Sequence, residues 1–450
     1  MSFLIRDQVH ETIRKHRADR SPGRSPGAPG LHALVLGSGG REYAIAWALA
    51  RSASVATIDA IPGNAGMSLF ARLVDIPPTD IGRLEQHVAA ARIDLAVVGP
   101  DELVAAGVGD AMRRTGIAAV GPSKEAGRIE WSKSFAKELM DEAGVPTAPW
   151  KSYPDAASAA KALDDREGPV VVKADGLAAG KGVVVARDRN EAREALASPT
   201  ISSGPVVLED VLEGEEASLQ TLVDGETVVA LPPARDHKRV GDGDTGPNTG
   251  GMGAYSPCEV LPDDEAQDLA NALVAPVARA LAKRGIPFRG VIYAGLMRAR
   301  DGWKVLEYNA RFGDPEAQVT LPRIEGDFGK LMVALGEGTL ASYVAERPLR
   351  FTDRAYVSVA LCAEGYPGTV KMGDVIDGLD QLPEGAWAFH AATARAGAGF
   401  VTAGGRVIHV VAGGDTVGEA RKLAYAAADR VSWKARFYRS DIAAREVVSA

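Results

Sequence analysis

Cysteine is nearly absent from this sequence of 450 residues: Cys258 and Cys362 are its whole complement. Two cysteines build no disulfide framework and no Cys/His zinc spacing, which fits a reducing cytoplasm. An excess of positive charge is also missing. Lysine and arginine number 51 against 59 aspartates and glutamates, a formal net charge of −8, so no broad basic field serves nucleic acid or an anionic membrane. No apolar run is long enough to span a bilayer, and no apolar segment with a cleavage site marks a secretory signal. No Ser/His/Asp or Cys/His grouping stands out as a nucleophile. A G-x-x-x-x-G-K-[ST] phosphate loop is lacking as well. The remainder reads as a soluble globular chain, 46% hydrophobic and 24% charged, with a length that predicts about two to four domains.

The first thirty residues differ from the rest. Met1–Arg20 is charge-rich, and residues 21–30 form a Pro/Gly/Ser linker. The segment reads as a flexible or weakly docked extension. Ile5, Val9 and Ile13, at i, i+4 and i+8, leave a short amphipathic helix as the alternative. From Leu31 the pattern becomes an alternating β/α series, with strands at Leu31–Leu36, Val55–Ala60, Ile93–Val98 and Ile117–Val120. Such a series implies a parallel sheet. Gly37-x-Gly39 followed by Asp59 resembles a dinucleotide fingerprint, but Glu42 stands where its third glycine belongs. The loop before the helix remains a good anion site.

Three stretches carry the chemistry. Glu307-Tyr308-Asn309-Ala310-Arg311-Phe312-Gly313-Asp314 follows an expected hairpin of Arg289–Arg300 and Trp303–Glu307. Glu307 and Asn309, two apart on a strand, share a face and offer the hard oxygens that Mg²⁺ prefers. Next, Val170-Val171-Val172-Lys173 runs into a loop with Gly176, Gly180, Lys181 and Gly182, then Val183-Val184-Val185. This predicts two strands joined by a mobile flap whose backbone approaches phosphate oxygens closely. Third, Asp236–Pro257 is polar and glycine-rich, with Asp236, Lys238, Asn248, Thr249, Gly250 and Gly251. It predicts a long functional surface loop, of a chemistry suited to a small zwitterion and an anion. Ser123–Ala143 predicts one helix, carrying Lys133 and stopping at Gly144.

Together these stretches resemble the phosphoribosylamine–glycine ligase (glycinamide ribonucleotide synthetase) family, within the ATP-grasp superfamily of carboxylate–amine ligases. Gly37-Ser38-Gly39-Gly40-Arg41-Glu42, Pro62-Gly63-Asn64, Gly365-Tyr366-Pro367-Gly368 and Gly404-Gly405-Arg406-Val407 extend the likeness over roughly residues 31–440. The resemblance implies an α/β fold of the ATP-grasp type, with a Rossmann-like domain at 31–130 and an ATP-grasp domain at 131–350. Within the latter, a small mobile lobe spans about 147–208, and a β-rich cap follows at 351–450. It implies ATP as co-substrate with Mg²⁺ or Mn²⁺ on Glu307 and Asn309. ATP is expected on Lys133, Lys173, the flap glycines and Lys181, with backbone groups near Glu209 and Leu212 reading adenine and Glu216 or a neighbour holding the ribose. Gly39, Gly40, Arg41, Glu42 and Asn64 are implied for the phosphoribosyl group. Asp236, Lys238, Asn248, Thr249, Gly250, Gly251, Arg311 and Asp314 are implied for the remaining substrates, with Arg311, Asp236 and Lys173 catalytic. The implied protein is cytoplasmic, a monomer or weak dimer, acting on glycine through a glycyl phosphate.

The chain departs from that pattern in places. Ala234-Arg235 replace Ser-Gln, Asp101-Glu102-Leu103 replace Glu-Ala-Pro, and Tyr43 replaces His. The strand Arg289–Arg300 supplies no acid opposite Glu307, which leaves a further metal ligand open. Two other readings compete: an ATP-grasp ligase for a different acid and amine, since fold alone does not set substrate, and a nucleotide-binding sensor without catalysis.

Overall fold

The computed structural model describes residues 30–177 and 182–448. The expected helix within Met1–Arg20 lies outside the described residues, as do Gly180 and Lys181. Among the described residues no helix is long and apolar enough to cross a membrane.

The amino-terminal strands form one five-stranded sheet, ordered Arg72–Leu73, Val55–Pro62, Leu31–Gly37, Leu95–Val98, Ala118–Val120, and every pairing is parallel. Residues 33–37 and 95–98 are wholly buried, as expected of a parallel sheet covered on both faces. The helix Gly40–Ala50 is buried along its entire length. It lies between this sheet and the carboxy-terminal one, where Trp47 and Tyr43 each meet Phe389 at 5.2 Å between ring centroids. Tyr43 also packs against Phe70 and stacks on His390. This departure from the family pattern is therefore turned into the core.

Ser123–Ala143 is two helices, Lys124–Trp131 and Lys133–Ala143, which corrects the single helix expected. Ser132 ends the first with extended backbone and caps the second, its hydroxyl accepting from Phe135 N. Serine competes well for a cap and poorly for a helix interior. The break places Lys133 at the very start of the second helix.

Next comes an antiparallel sheet ordered Trp150–Tyr153, Val206–Asp210, Val170–Ala174, Val183–Ala186, with its own apolar core including Val170, Val172, Leu196 and Ile201. A second antiparallel sheet holds Thr227–Ala230, Glu215–Asp224, Arg289–Ala299 and Gly302–Asn309. Its last strand reaches Asn309, beyond the Glu307 end expected, so Glu307 and Asn309 are both held in the ladder opposite Gly295 and Tyr293.

The largest correction concerns Asp236–Pro257. The stretch is not a bare loop. Arg235–Asp236 pairs with Gly253–Ser256, and Gly253–Ser256 pairs with Ala355–Cys362 of the carboxy-terminal sheet. Between them Arg239–Gly241 and Thr245–Asn248 make a small hairpin. Backbone pairing with a distant strand supplies the partners that the polar, glycine-rich sequence did not advertise. The carboxy-terminal sheet is completed by Arg406–Gly414 and Ala386–His390, with the helix Val417–Ala428 packed on it.

Candidate active site

A cavity of about 770 Å³ opens where the two central sheets, the start of the Lys133 helix and the carboxy-terminal sheet meet. One wall is cationic. Lys173, at the end of its strand, is buried, and its ammonium lies 2.7 Å from Glu209 Oε1 and donates to Leu306 O at 3.0 Å. Lys133 donates to Glu130 O at 2.8 Å and to Glu307 Oε2 at 3.2 Å. Burial opposes ionisation of Glu307, but Lys133, Lys173 and Lys238 outweigh it and hold the carboxyl well below the usual range.

Asn309 is buried beside it. Its Nδ2 has no hydrogen-bond partner, and its Oδ1 has only a long contact of 3.4 Å from Arg311. Arg311 is fixed instead by Glu130, at 2.9 Å, and by Phe312 O at 3.1 Å. The second oxygen of Glu130 accepts from Ala310 N at 2.8 Å. Among the described residues no cluster of three or more His, Cys, Asp or Glu could hold a metal. Glu307 and Asn309 both line the cavity.

The same sheet carries a second, more acidic group beside these residues. Lys238 reaches Glu216 Oε2 at 2.6 Å and Asp236 Oδ1 at 3.8 Å. Burial, with Glu316 and Glu216 nearby, pushes Asp236 up to about 7 despite Lys238. Tyr293 meets Ser218 Oγ at 3.1 Å, and that hydroxyl also donates to Glu316. Lys238 holds Glu216 below its ordinary value.

The remaining sequence-predicted residues divide. Gly176, Gly182, Leu212, Asn248, Thr249, Gly250, Asp314 and Arg41 line the cavity with those above, whereas Gly39, Gly40, Glu42, Asn64 and Gly251 do not. The polar groups of Glu42 and Asn64 are spent within the protein. Glu42 accepts from Gly39 N and pairs with Arg41, and Asn64 bonds Ser38 O, His390 O and Met67 N. Gly40 is needed for close packing, since a Cβ there would come within 2.8 Å of Gln318 and His409. Adenine is expected on backbone groups near Glu209 and Leu212, and Glu209 itself is paired on both sides. Its register neighbours are Trp150 on one side and Val171 on the other, so the ladder flanks it twice. Val211 and Leu212 are the first cavity-lining residues beyond that strand.

Comparison with known proteins now has a site to attach to. Residues 31–130 match the N domain of phosphoribosylglycinamide synthetase, 131–317 its ATP-grasp domain and 356–445 its C domain. Curated phosphoribosylamine–glycine ligases of Mesorhizobium japonicum and Caulobacter vibrioides are 46% and 44% identical over 92% of this chain and 97% of theirs. The crystal structure of the Thermotoga maritima phosphoribosylamine–glycine ligase superposes with a TM-score of 0.79 at 33% identity, covering 92% of this chain and all of that one. The chain belongs to the phosphoribosylglycinamide synthetase family. It is a ligase with an ATP-grasp centre. The fold is shared more widely. The biotin carboxylase domain of Hydrogenobacter thermophilus 2-oxoglutarate carboxylase, crystallised with MgADP, superposes with a TM-score of 0.69 at 17% identity over 90% of this chain and 91% of that one.

Sequence reasoning missed several groups that this phosphoribosylglycinamide synthetase chain brings to the site. Arg406 ion-pairs Asp314 at 2.6 Å and donates to the carbonyls of Gly250, Gly251 and Asp314. Burial alone would raise Asp314, but Arg406 holds it well below the carboxylate range, with His409 and Arg41 assisting. Arg406 was visible only as part of a glycine-rich resemblance. Glu130 and Tyr293 carried no local signal, and Glu316 closed the run from Glu307 without a role being given to it. Asp59, the apparent ribose acid of a dinucleotide site, is bound by Arg72, His32 and His87 instead.

Proposed function

We propose that the chain joins glycine to 5-phosphoribosylamine at the expense of ATP, giving glycinamide ribonucleotide, ADP and phosphate in purine synthesis. The observation that carries this reading is a single cavity lined by Lys133 and Lys173 around Glu307 and Asn309 and also by Asp236, Lys238, Asn248, Thr249 and Arg311. Names of relatives over nearly the whole chain support the substrates.

Lys133 and Lys173 take the ATP phosphates, Val211 and Leu212 read the adenine, and Glu216 holds the ribose. Mg²⁺ or Mn²⁺ belongs on Glu307 and Asn309, which supply two oxygens on one strand face. The fit rests on the ionised Glu307 and on Asn309 Oδ1, whose hydrogen-bond contact from Arg311 is a long 3.4 Å. Bound there, the metal would neutralise phosphate charge.

A glycine carboxylate oxygen attacks the γ-phosphorus, and the bond to the ADP oxygen breaks, leaving glycyl phosphate. Such a transfer needs mainly positioning and charge neutralisation, which Lys133 and Lys173 provide. The phosphoribosylamine nitrogen then attacks the glycyl carbonyl carbon and expels phosphate. Asp236 takes the proton that the amine loses, because a carboxylate poised near neutrality is suited to proton transfer. Arg311, braced by Glu130, orients the acyl phosphate, and Arg41 and Asp314 lie on the phosphoribosyl side. The protein acts in the cytoplasm as a monomer or weak dimer.

The test is ADP release with ATP, Mg²⁺, glycine and phosphoribosylamine generated in place, omitting each in turn. Strict dependence on both glycine and the amine is expected. Release indifferent to glycine would point to another acid, and ATP binding without release would point to a sensor.

A further inference from the structure

Lys137 lies one helical turn beyond Lys133 and turns inward on the same face. It is fully buried, with 2% of its side chain exposed. Its ammonium donates to Thr147 Oγ1 at 2.6 Å and to Glu209 Oε2 at 2.9 Å, and Thr147 Oγ1 in turn donates to Val305 O. The other oxygen of Glu209 faces Lys173 at 2.7 Å. One carboxylate, itself 2% exposed, is therefore shared by two lysine ammoniums drawn from different elements.

That arrangement costs the fold. Burial, then the neighbouring Lys173, lower Lys137 to about 8, against the pull of Glu209 and Glu307. A second buried cation on one carboxylate is not what stability alone selects, since an apolar side chain of similar length would serve packing as well. Its effect is on charge. With Lys137 present, Glu209 is already neutralised, and the group retains one net positive charge at the Lys173 end. Without it, Glu209 and Lys173 neutralise one another and Lys173 is spent on its own protein.

We infer that Lys137 is a positioning residue for the nucleotide: by sharing Glu209 it frees the Lys173 ammonium for a phosphate oxygen. This rests on the reading that the lysine-rich wall holds ATP.

The experiment measures MgATP binding by calorimetry on the full-length protein, independent of turnover, for wild type, Lys137→Met, Lys137→Gln, Lys137→Arg and Lys137→Met/Glu209→Gln. Loss of the charge should weaken binding about tenfold, the effect of one charge-assisted hydrogen bond. KM for ATP should rise in parallel while KM for glycine stays unchanged. Lys137→Arg should restore affinity to within about threefold, because it keeps the charge. Removing the carboxylate as well should recover most of the loss, because Lys173 is then released. Lys137→Gln, which keeps a hydrogen bond to Thr147, reads the charge alone if the methionine variant does not fold. An affinity within twofold of wild type in the charge-free variants would overturn this inference. Absence of MgATP binding in the wild type would overturn the nucleotide assignment itself, a distinguishable result.

Discussion

The two walls of the cavity are made of the same residue types and behave in opposite ways. At the lysine-rich wall, Glu307 is surrounded by Lys133, Lys173 and Lys238 and stays ionised, with 30% of its side chain exposed. Asp236 shares Lys238 with Glu307 but has Glu216 and Glu316 around it as well, and it is pushed up to about 7. Burial disfavours both carboxylates, so the balance of neighbouring charge decides. The first carboxylate is thereby kept anionic among cations, and the second is left close to neutrality, where it suits the proton transfer proposed for it.

The strongest way to break this contrast is at Glu307. Glu307→Gln keeps the shape but removes the charge that the lysines stabilise. Turnover should fall on the order of 10³-fold, since charge neutralisation of the phosphoryl group is lost, while circular dichroism stays unchanged. Next comes Asp236→Asn, which should lower kcat about 10²-fold, the scale of a lost general base. In the wild type, activity should rise with pH through about 7 as Asp236 ionises, and the asparagine variant should lose that inflection. The stability effect has the opposite sense. The folded-state value lies above the unfolded one near 3.9, so the contribution of Asp236 to stability is full below that value and is lost as pH rises through about 7. Melting curves between pH 5 and 8 would read it.

A smaller change sharpens the comparison. Lys238→Met removes the cation nearest Asp236, so the acid inflection should move upward by about one unit, which a pH–rate profile resolves. The smallest effect is expected at Ser132, whose hydroxyl caps the Lys133 helix. Ser132→Ala should cost about 1 kcal/mol, seen as a lower melting temperature, with a modest rise in KM for ATP as the Lys133 turn frays.

These walls were unequally legible in the sequence. Glu307, Asn309 and Lys173 were readable because strand alternation and a β-branched run ending in lysine are local patterns. Asp236 and Lys238 were found as residues but placed in a loop, because the pairing of Gly253–Ser256 with Ala355–Cys362 spans a hundred positions. Glu130 and Lys137 lie in helices whose sequences look solvated, and nothing within a turn of either reveals Ala310 or Glu209 as a partner. Arg406 reaches Asp314 from 92 residues away. Buried polar residues that bridge distant segments become meaningful only when the chain closes on itself.

The helix Gly40–Ala50, covered on every side, has a consequence for how the chain is made. On one of its faces Trp47 packs on Trp387 and Phe389. The ribosome delivers those residues long after the helix, at about 5–20 residues per second. For tens of seconds on that rate, Trp47 lacks Trp387 and Phe389, and Tyr43 has Phe70 but lacks Phe389. The early part of the nascent chain thus carries an apolar face that stays uncovered until the carboxy-terminal sheet is made.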